Sequence, residues 1–214
     1  MLEEMSAFFE ARLEGYEEHM LACIEGAEDF YPFTAALLPE TPGAAVLDLG
    51  CGTGLELDWY FRRNPTARVT GIDLSAGMLE ALRQKPFGAR LTLIQGSYFD
   101  VPLGENAFDG AVSVESLHHF TKEEKTGLYA RLHRALKPGG YFILTDYFAP
   151  TEALERLYRA EYLRLRADQP TDVFYHYDTP LTVAHETEAL RMAGFSRVEK
   201  VAQWENTYTL RATK

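Results

Sequence analysis

The stretch AAVLDLGCGTGLEL, residues 44–57, decides the fold. Ala44 to Gly50 is a short apolar run ending in glycine, the pattern of a strand buried on both faces. Gly50, Gly52 and Gly54 alternate after it, and a helix is predicted from Thr53 to Arg63. A strand turning through glycines into a helix opens a strand–helix–strand unit. The missing Cβ atoms let the backbone turn sharply and approach a ligand closely.

The alternation continues outward. RVTGID (68–73) reads as a second strand, SAGMLEALRQ (75–84) as a helix capped by Ser75, RLTLIQG (90–96) as a third strand and FDGAVSVES (108–116) as a fourth. Residues 121–140 read as a helix: Thr121 with Glu124 is a capping box, and Pro138-Gly139-Gly140 is the expected stop. YFILTDYF (141–148) is the fifth strand. Right-handed crossovers between such units give a doubly wound parallel sheet, with its ligand at the carboxyl ends of the strands where strand order reverses.

The flanks read differently. Phe8, Phe9, Leu13, Tyr16, Met20 and Ile24 recur at spacings near 3.6, so the first 40 residues are expected to be a helical cap, with a further short helix over Tyr31 to Leu38 ended by Pro39 and Pro42. After the fifth strand, Glu152 to Ala167 is a predicted helix with Leu154, Leu157, Tyr158, Tyr162 and Leu165 on one face. An aromatic loop (172–180) follows, then a helix from Thr182 to Ala193 closed by Gly194. Arg197–Trp204 and Thr207–Ala212, joined at Glu205-Asn206, predict an antiparallel hairpin. The 214 residues are read as one domain: cap 1–40, ligand-binding core 44–148, a lid-like insertion 149–181, and the helix and hairpin 182–214.

Composition narrows the function. At 46% hydrophobic and 25% charged residues the chain is globular, and no apolar stretch approaches the ~20 residues of a membrane span. MLEEMSAFFEARLEG is acidic and amphipathic, unlike a secretory signal. Cys23 and Cys51 make neither a disulfide framework nor a zinc pattern, so a reduced, cytoplasmic setting is expected. A net charge of −11 disfavours nucleic acid as a partner. No metal is expected, since no histidine shows ligand spacing.

The glycine loop has acidic surroundings. Asp73 closes the second strand 19 positions after Gly54, where an acid can accept hydrogen bonds from ribose hydroxyls. The spacing is GxGxG, and Leu55 stands where a dinucleotide loop wants its third glycine. Asp48 precedes the glycines, with Glu56 and Asp58 in the first helical turn. Carboxylates there repel a pyrophosphate but suit a nucleoside carrying an ammonium and a sulfonium.

VLDLGCGTG (46–54), GIDLS (71–75), FDGAVSVESLHHF (108–120) and LKPGG (136–140) resemble, in order and separation, the signature motifs of class I S-adenosylmethionine-dependent methyltransferases. The resemblance implies an α/β, Rossmann-like three-layer α-β-α sandwich, with a seven-stranded mostly parallel sheet and a reversed C-terminal hairpin strand. It implies S-adenosyl-L-methionine as cofactor and S-adenosyl-L-homocysteine as product. Asp48, Gly50, Cys51, Gly52 and Gly54 fall in the loop that would hold the methionine part, Asp73 would take the ribose, and Leu74 and Met78 would lie beside the adenine. Where the family often places an acid facing the adenine amine, this chain has Ser97, followed by Tyr98, which with Phe99 can pack on the base. Backbone carbonyls at Val114 and Glu115 would receive the ammonium, and Tyr16 can close over the cofactor, as can Tyr31.

Glu115, His118 and His119 lie at the carboxyl edge of the sheet and are the catalytic candidates, either orienting the acceptor or taking its proton. The alternative for Glu115 is a solvated loop acid, and for the histidines a packed helix start. Methyl transfer by in-line displacement gains mostly from positioning and water exclusion, so it needs no obvious base. A small-molecule acceptor is the first reading. A tRNA or other nucleic-acid acceptor is the second, since His185 to Tyr208 is loosely similar to enzymes acting on modified uridines in tRNA; Arg156, Arg159, Arg164 and Arg166 are the basic cluster available to it. A nicotinamide-dependent oxidoreductase and a cofactor-binding regulator without activity are the others. The cap and the 151–167 helix can each pack internally or on a second copy, giving a monomer or a homodimer.

Overall fold

The computed structural model of the chain describes residues 2–170 and 173–214. In chain order its elements are β1 (Glu3–Glu4), α1 (Met5–Glu10), α2 (Tyr16–Cys23), α3 (Ala27–Ala36), β2 (Ala45–Leu49), α4 (Leu55–Arg63), β3 (Arg68–Asp73), α5 (Ala76–Arg83), β4 (Leu91–Gln95), β5 (Phe108–Val114), α6 (Lys122–Ala135), β6 (Leu136–Tyr147), α7 (Glu152–Arg166), β7 (Tyr175–His176), α8 (Val183–Met192), β8 (Arg197–Trp204) and β9 (Thr207–Thr213). Seven strands form one sheet in the order β4-β3-β2-β5-β6-β9-β8. β9 pairs antiparallel with both neighbours, and the other pairings are parallel, so the mostly parallel sheet with its reversed hairpin stands as the sequence implies.

Strand alternation explains the three layers. Leu47 and Leu49 of β2, Ala111 of β5, and Phe142 and Leu144 of β6 join one buried cluster with Leu128, Leu132 and Leu190 of α6 and α8. Val46, Val112, Val114 and Ile143, the intervening residues of the same strands, join a second cluster with Phe30, Leu57 and Leu82 of α3, α4 and α5. Successive side chains leave a strand on opposite faces, so these all-apolar runs have two faces to fill, and helices cover both. Chain order reverses between β2 and β5, where the carboxyl-end loops part and leave a crevice.

Three expectations are corrected. The cap is not one continuous helix: Gly15 and Gly26 adopt left-handed φ of 76° and 79°, so the apolar stripe from Phe8 to Ile24 is split between α1 and α2. α6 stops at Ala135, not at Gly140. Pro138 has no N–H to donate and forces Lys137 out of the helical region, so β6 begins at Leu136 and its first residues are absorbed by a register shift between Phe108 and Gly110. On α7 only Tyr162 is buried, and Leu157, expected on the packed face, is 61% exposed.

The segment after α7 returns to the cap. β7 pairs antiparallel with β1, Glu3 opposite His176, and the His176 ring stacks on Phe8 at 3.5 Å. Of the aromatic loop 172–180, residue 172 lies outside the described residues. Among the described residues no helix is long and apolar enough to cross a membrane.

Candidate active site

Two cavities meet above the glycine loop. The smaller, about 50 Å³, is lined by Gly50, Gly52, Asp73, Leu74, Met78, Tyr98, Val114, Glu115 and Ser116, with Met5, Phe9, Tyr16 and His119 above. The larger, about 800 Å³, opens between α1, α2, the β8–β9 turn and the segment carrying His176 and Asp178. Phe9, Tyr16, Glu115 and His119 line both.

The small cavity is built from the glycine loop and its acid. A Cβ on Gly50, whose φ is 73°, would meet Ser116 Oγ at 2.0 Å, so only glycine lets β2 turn beside the end of β5. A Cβ on Gly52 would have the Tyr16 hydroxyl as its nearest neighbour at 4.0 Å, so this stretch of backbone is bare toward the space above it. Asp73 Oδ2 accepts the Gly52 N–H and its Oδ1 accepts the Ser75 N–H, both at 2.9 Å. Burial raises the Asp73 pKa, while these backbone donors oppose the rise. Beneath the loop Asp48 is fully buried and hydrogen-bonded to Glu56; burial first, then the charge of Glu56, pushes Asp48 well above its ordinary range. Asp48 Oδ2 and Glu56 Oε1 have no hydrogen-bond partner among the described residues.

α1 is seated on this cavity. Glu10 Oε1 accepts hydrogen bonds from Ser75 Oγ (2.9 Å) and the Gly77 N–H (2.8 Å), which ties α1 to the start of α5. Tyr98 packs beside Gly50, its hydroxyl 3.2 Å from Ser116 Oγ.

At the end of β5, Glu115 holds a left-handed φ of 48°, rare for a residue with a Cβ and costing about 1–3 kcal/mol. Its N–H donates to Thr145 O at 2.9 Å, and Thr207 Oγ1 donates to its carboxylate at 3.2 Å. Burial, then the charge of Asp146, pushes the Glu115 carboxyl up to about 8. His118 Nδ1 lies 2.5 Å from Asp146 Oδ1, while Asp146 Oδ2 accepts the Leu117 N–H at 2.8 Å. Burial works against the imidazolium of His118, but the charge and hydrogen bond of Asp146 outweigh it and hold the pKa at about 9. His119 goes the other way: burial and the neighbouring His118 charge bring it down to about 4. Thr179 N–H donates to His118 O at 2.7 Å, which carries Asp178 to the two histidines.

Of the residues singled out from the sequence, Gly50, Gly52, Asp73, Leu74, Met78, Tyr98, Val114, Glu115 and Tyr16 converge on the small cavity, and His118 and His119 stand at the large one. Four turn away from both. Asp48, expected to hold the methionine part, is fully buried beneath the loop beside Glu56, because a strand residue facing the core cannot also face the crevice. Cys51 is buried with its Sγ against Gly71, because a residue between two cavity-facing glycines points back into the core. Ser97 spends its hydroxyl accepting the Phe99 N–H at 3.1 Å. Gly54 caps α4 and packs on Leu82. Tyr31 likewise is core, packed on Phe30. Missed from the sequence were Glu10, Ser116, Asp146 and Asp178. Asp146 alone carried a signal, as an acid near the carboxyl end of a buried strand.

The donor set suits a sulfonium nucleoside: bare glycine backbone, an acid at the second strand end, and carboxylates in place of the positive pocket a pyrophosphate needs. The methyltransferase-domain family profile matches residues 46–140. An uncharacterized methyltransferase of Synechocystis is 34% identical over 131 residues, 61% of this chain and 60% of that protein. A fatty-acid O-methyltransferase of Mycolicibacterium smegmatis is 31% identical over 172 residues, 80% of this chain and 60% of that protein. The chain thus spans less than two thirds of the length of these curated relatives. In fold it matches an S-adenosylmethionine-dependent methyltransferase structure from Mesorhizobium loti with a TM-score of 0.63 at 24% identity, over 86% of this chain and 96% of that one.

Residues 46–140 thus carry a methyltransferase domain, in a fold shared with S-adenosylmethionine-dependent methyltransferase structures. The family match supports S-adenosylmethionine as the cofactor, and Gly50, Gly52, Asp73, Leu74 and Met78 line the glycine-loop cavity.

Proposed function

We propose that this chain transfers the methyl group of S-adenosylmethionine to a small molecule held in the 800 Å³ cavity. The observation that carries this reading is the shared wall: Phe9, Tyr16, Glu115 and His119 belong both to the glycine-loop cavity and to the large one. The bound cofactor supplies the electrophilic methyl. The protein supplies alignment of the acceptor against it and exclusion of water by the aromatic walls, Phe8, Phe9, Tyr16, Tyr147 and Trp204. Glu115, clamped by Thr207, is placed to orient the acceptor at the junction.

Charge favours a small acceptor over nucleic acid. Glu14, Glu25, Glu115, Asp178 and Glu205 line the large cavity, against Arg12 and four histidines. On α7 three arginines of the basic cluster pair with acids: Arg156 with Glu152, Arg159 with Glu123, and Arg164 with Glu161. The relation to a fatty-acid O-methyltransferase supports an apolar acceptor bearing a nucleophilic oxygen.

Two measurements test the reading. Thermal unfolding should shift upward with S-adenosylmethionine and S-adenosylhomocysteine, by about 2.7 kcal/mol at a hundredfold excess over Kd, and not with NAD. Release of S-adenosylhomocysteine, followed over a panel of small acids, phenols, quinols and amines and over bulk tRNA, should rise with small acceptors. Transfer to tRNA and to none of the small molecules would overturn the acceptor class.

A further inference from the structure

We propose that His118, His119 and Asp178 form a site for one divalent transition-metal ion in the wall of the large cavity. One nitrogen of each histidine and one oxygen of Asp178 lie within 4.8 Å of one another. Asp178 Oδ1 is 3.2 Å from His119 Nδ1 and 3.6 Å from His118 Nε2. Ligand atoms about 2.0–2.2 Å from a common ion stand roughly 3.0–3.5 Å apart, so the His119 edge has the separation an ion requires and the His118 edge lies 0.1 Å outside it.

Three further features point to a ligand. His119 is only 5% exposed, yet its Nδ1 makes no hydrogen bond among the described residues: it meets Asp178 at an ion-pair distance but not in hydrogen-bond geometry. His118 is held through its other nitrogen by the buried carboxylate of Asp146, which fixes the ring with Nε2 toward Asp178. A carboxylate behind the far nitrogen of a histidine is the usual support of a metal-bound imidazole. Asp178, half-exposed at the cavity wall, brings its carboxylate to the two buried histidines from the solvent side.

Two nitrogens and one carboxylate leave coordination positions open, as in two-histidine, one-carboxylate centres, and suit zinc, iron(II), cobalt(II) or manganese(II) better than calcium or magnesium. The open positions face the large cavity. If that cavity is the acceptor chamber proposed above, the ion takes an oxygen or nitrogen of the acceptor and favours its deprotonated form. The ion site itself does not depend on that reading. Its ligands come from two segments sixty positions apart, which is why spacing in the sequence showed no metal motif.

The test is titration of the metal-stripped protein with Co²⁺, followed by its visible absorption, and with Zn²⁺ by calorimetry. S-adenosylhomocysteine binding is measured on the same samples, so that failure of the metal site and failure of the methyltransferase reading are separable. One equivalent should bind. Asp178→Ala and His119→Ala should each weaken binding by more than about tenfold, and Asp146→Asn, which touches no ion, by about ten- to a hundredfold. His133→Ala, on the outer part of α6, should leave it unchanged. Absence of one-equivalent binding by the wild-type chain overturns the proposal. So does binding that Asp178→Ala and His119→Ala leave intact.

Discussion

Asp73 Oδ2 accepts the backbone N–H of Gly52 at 2.9 Å, so the acid at the end of β3 also pins the loop at the end of β2. The residue that should hold the ribose thereby fixes the glycine cradle. Asp73→Ala removes both contacts at once and is expected to weaken S-adenosylhomocysteine binding by well over tenfold in calorimetry. Asp73→Asn keeps one acceptor oxygen and should fall between the two. Equal affinity in Asp73→Ala and wild type would remove Asp73 from the cofactor site.

Glu10 makes a prediction about entry. Glu10 holds α1 down over the glycine-loop cavity through Ser75 and Gly77. α1 is therefore expected to lift when the cofactor enters. Glu10→Ala should speed the association of S-adenosylhomocysteine several-fold in stopped-flow measurements, with little change in Tm. An unchanged association rate would show that α1 does not gate the site.

Gly50→Ala carries two separable costs. A residue with a Cβ at φ 73° costs about 1–3 kcal/mol, and the new methyl would lie 2.0 Å from Ser116 Oγ. Gly50→Ala is expected to lower stability by more than the conformational cost alone in urea unfolding. Adding Ser116→Gly should recover the steric part and leave the rest. Full recovery would mean the backbone at Gly50 tolerates a side chain.

The buried carboxyl pair predicts a pH slope. Burial raises both Asp48 and Glu56, so between their ordinary range and the raised values the native state binds more protons than the unfolded chain. Stability contributed by the pair is present at low pH and is lost as pH rises through that window, by about 1.4 kcal/mol per pH unit for one proton. Glu56→Gln donates a permanent N–H to Asp48 and should flatten the slope relative to wild type between pH 5 and 9. Parallel stability curves for the two proteins would show that Asp48 and Glu56 share no proton.

The sequence by itself determined the elements whose cause is local. Residues 44–57 announce strand, glycine turn and helix because each step is a property of neighbouring residues. Ser75 accepts the Met78 N–H and Thr121 closes its capping box with Glu124, as the residue types require. Asp73 was legible because it ends a strand at a fixed separation from the glycines. Boundaries slipped where a single residue overrode a pattern, as Gly15 did in the cap and Pro138 at the end of α6.

Only the tertiary structure decided which way side chains face and what they meet. Cys51 lies within the motif yet turns into the core, and Ser97 spends its hydroxyl on its own turn. Leu157 fits an apolar stripe but has no partner layer above α7, so it stays in solvent. The junction of the two cavities and the cluster of His118, His119, Asp146 and Asp178 join α1, β5, β6 and the segment after α7. Periodicity and spacing describe how a segment pairs with its own neighbours. Contacts between segments far apart in the chain depend on how the layers close over one another, and no local pattern encodes that.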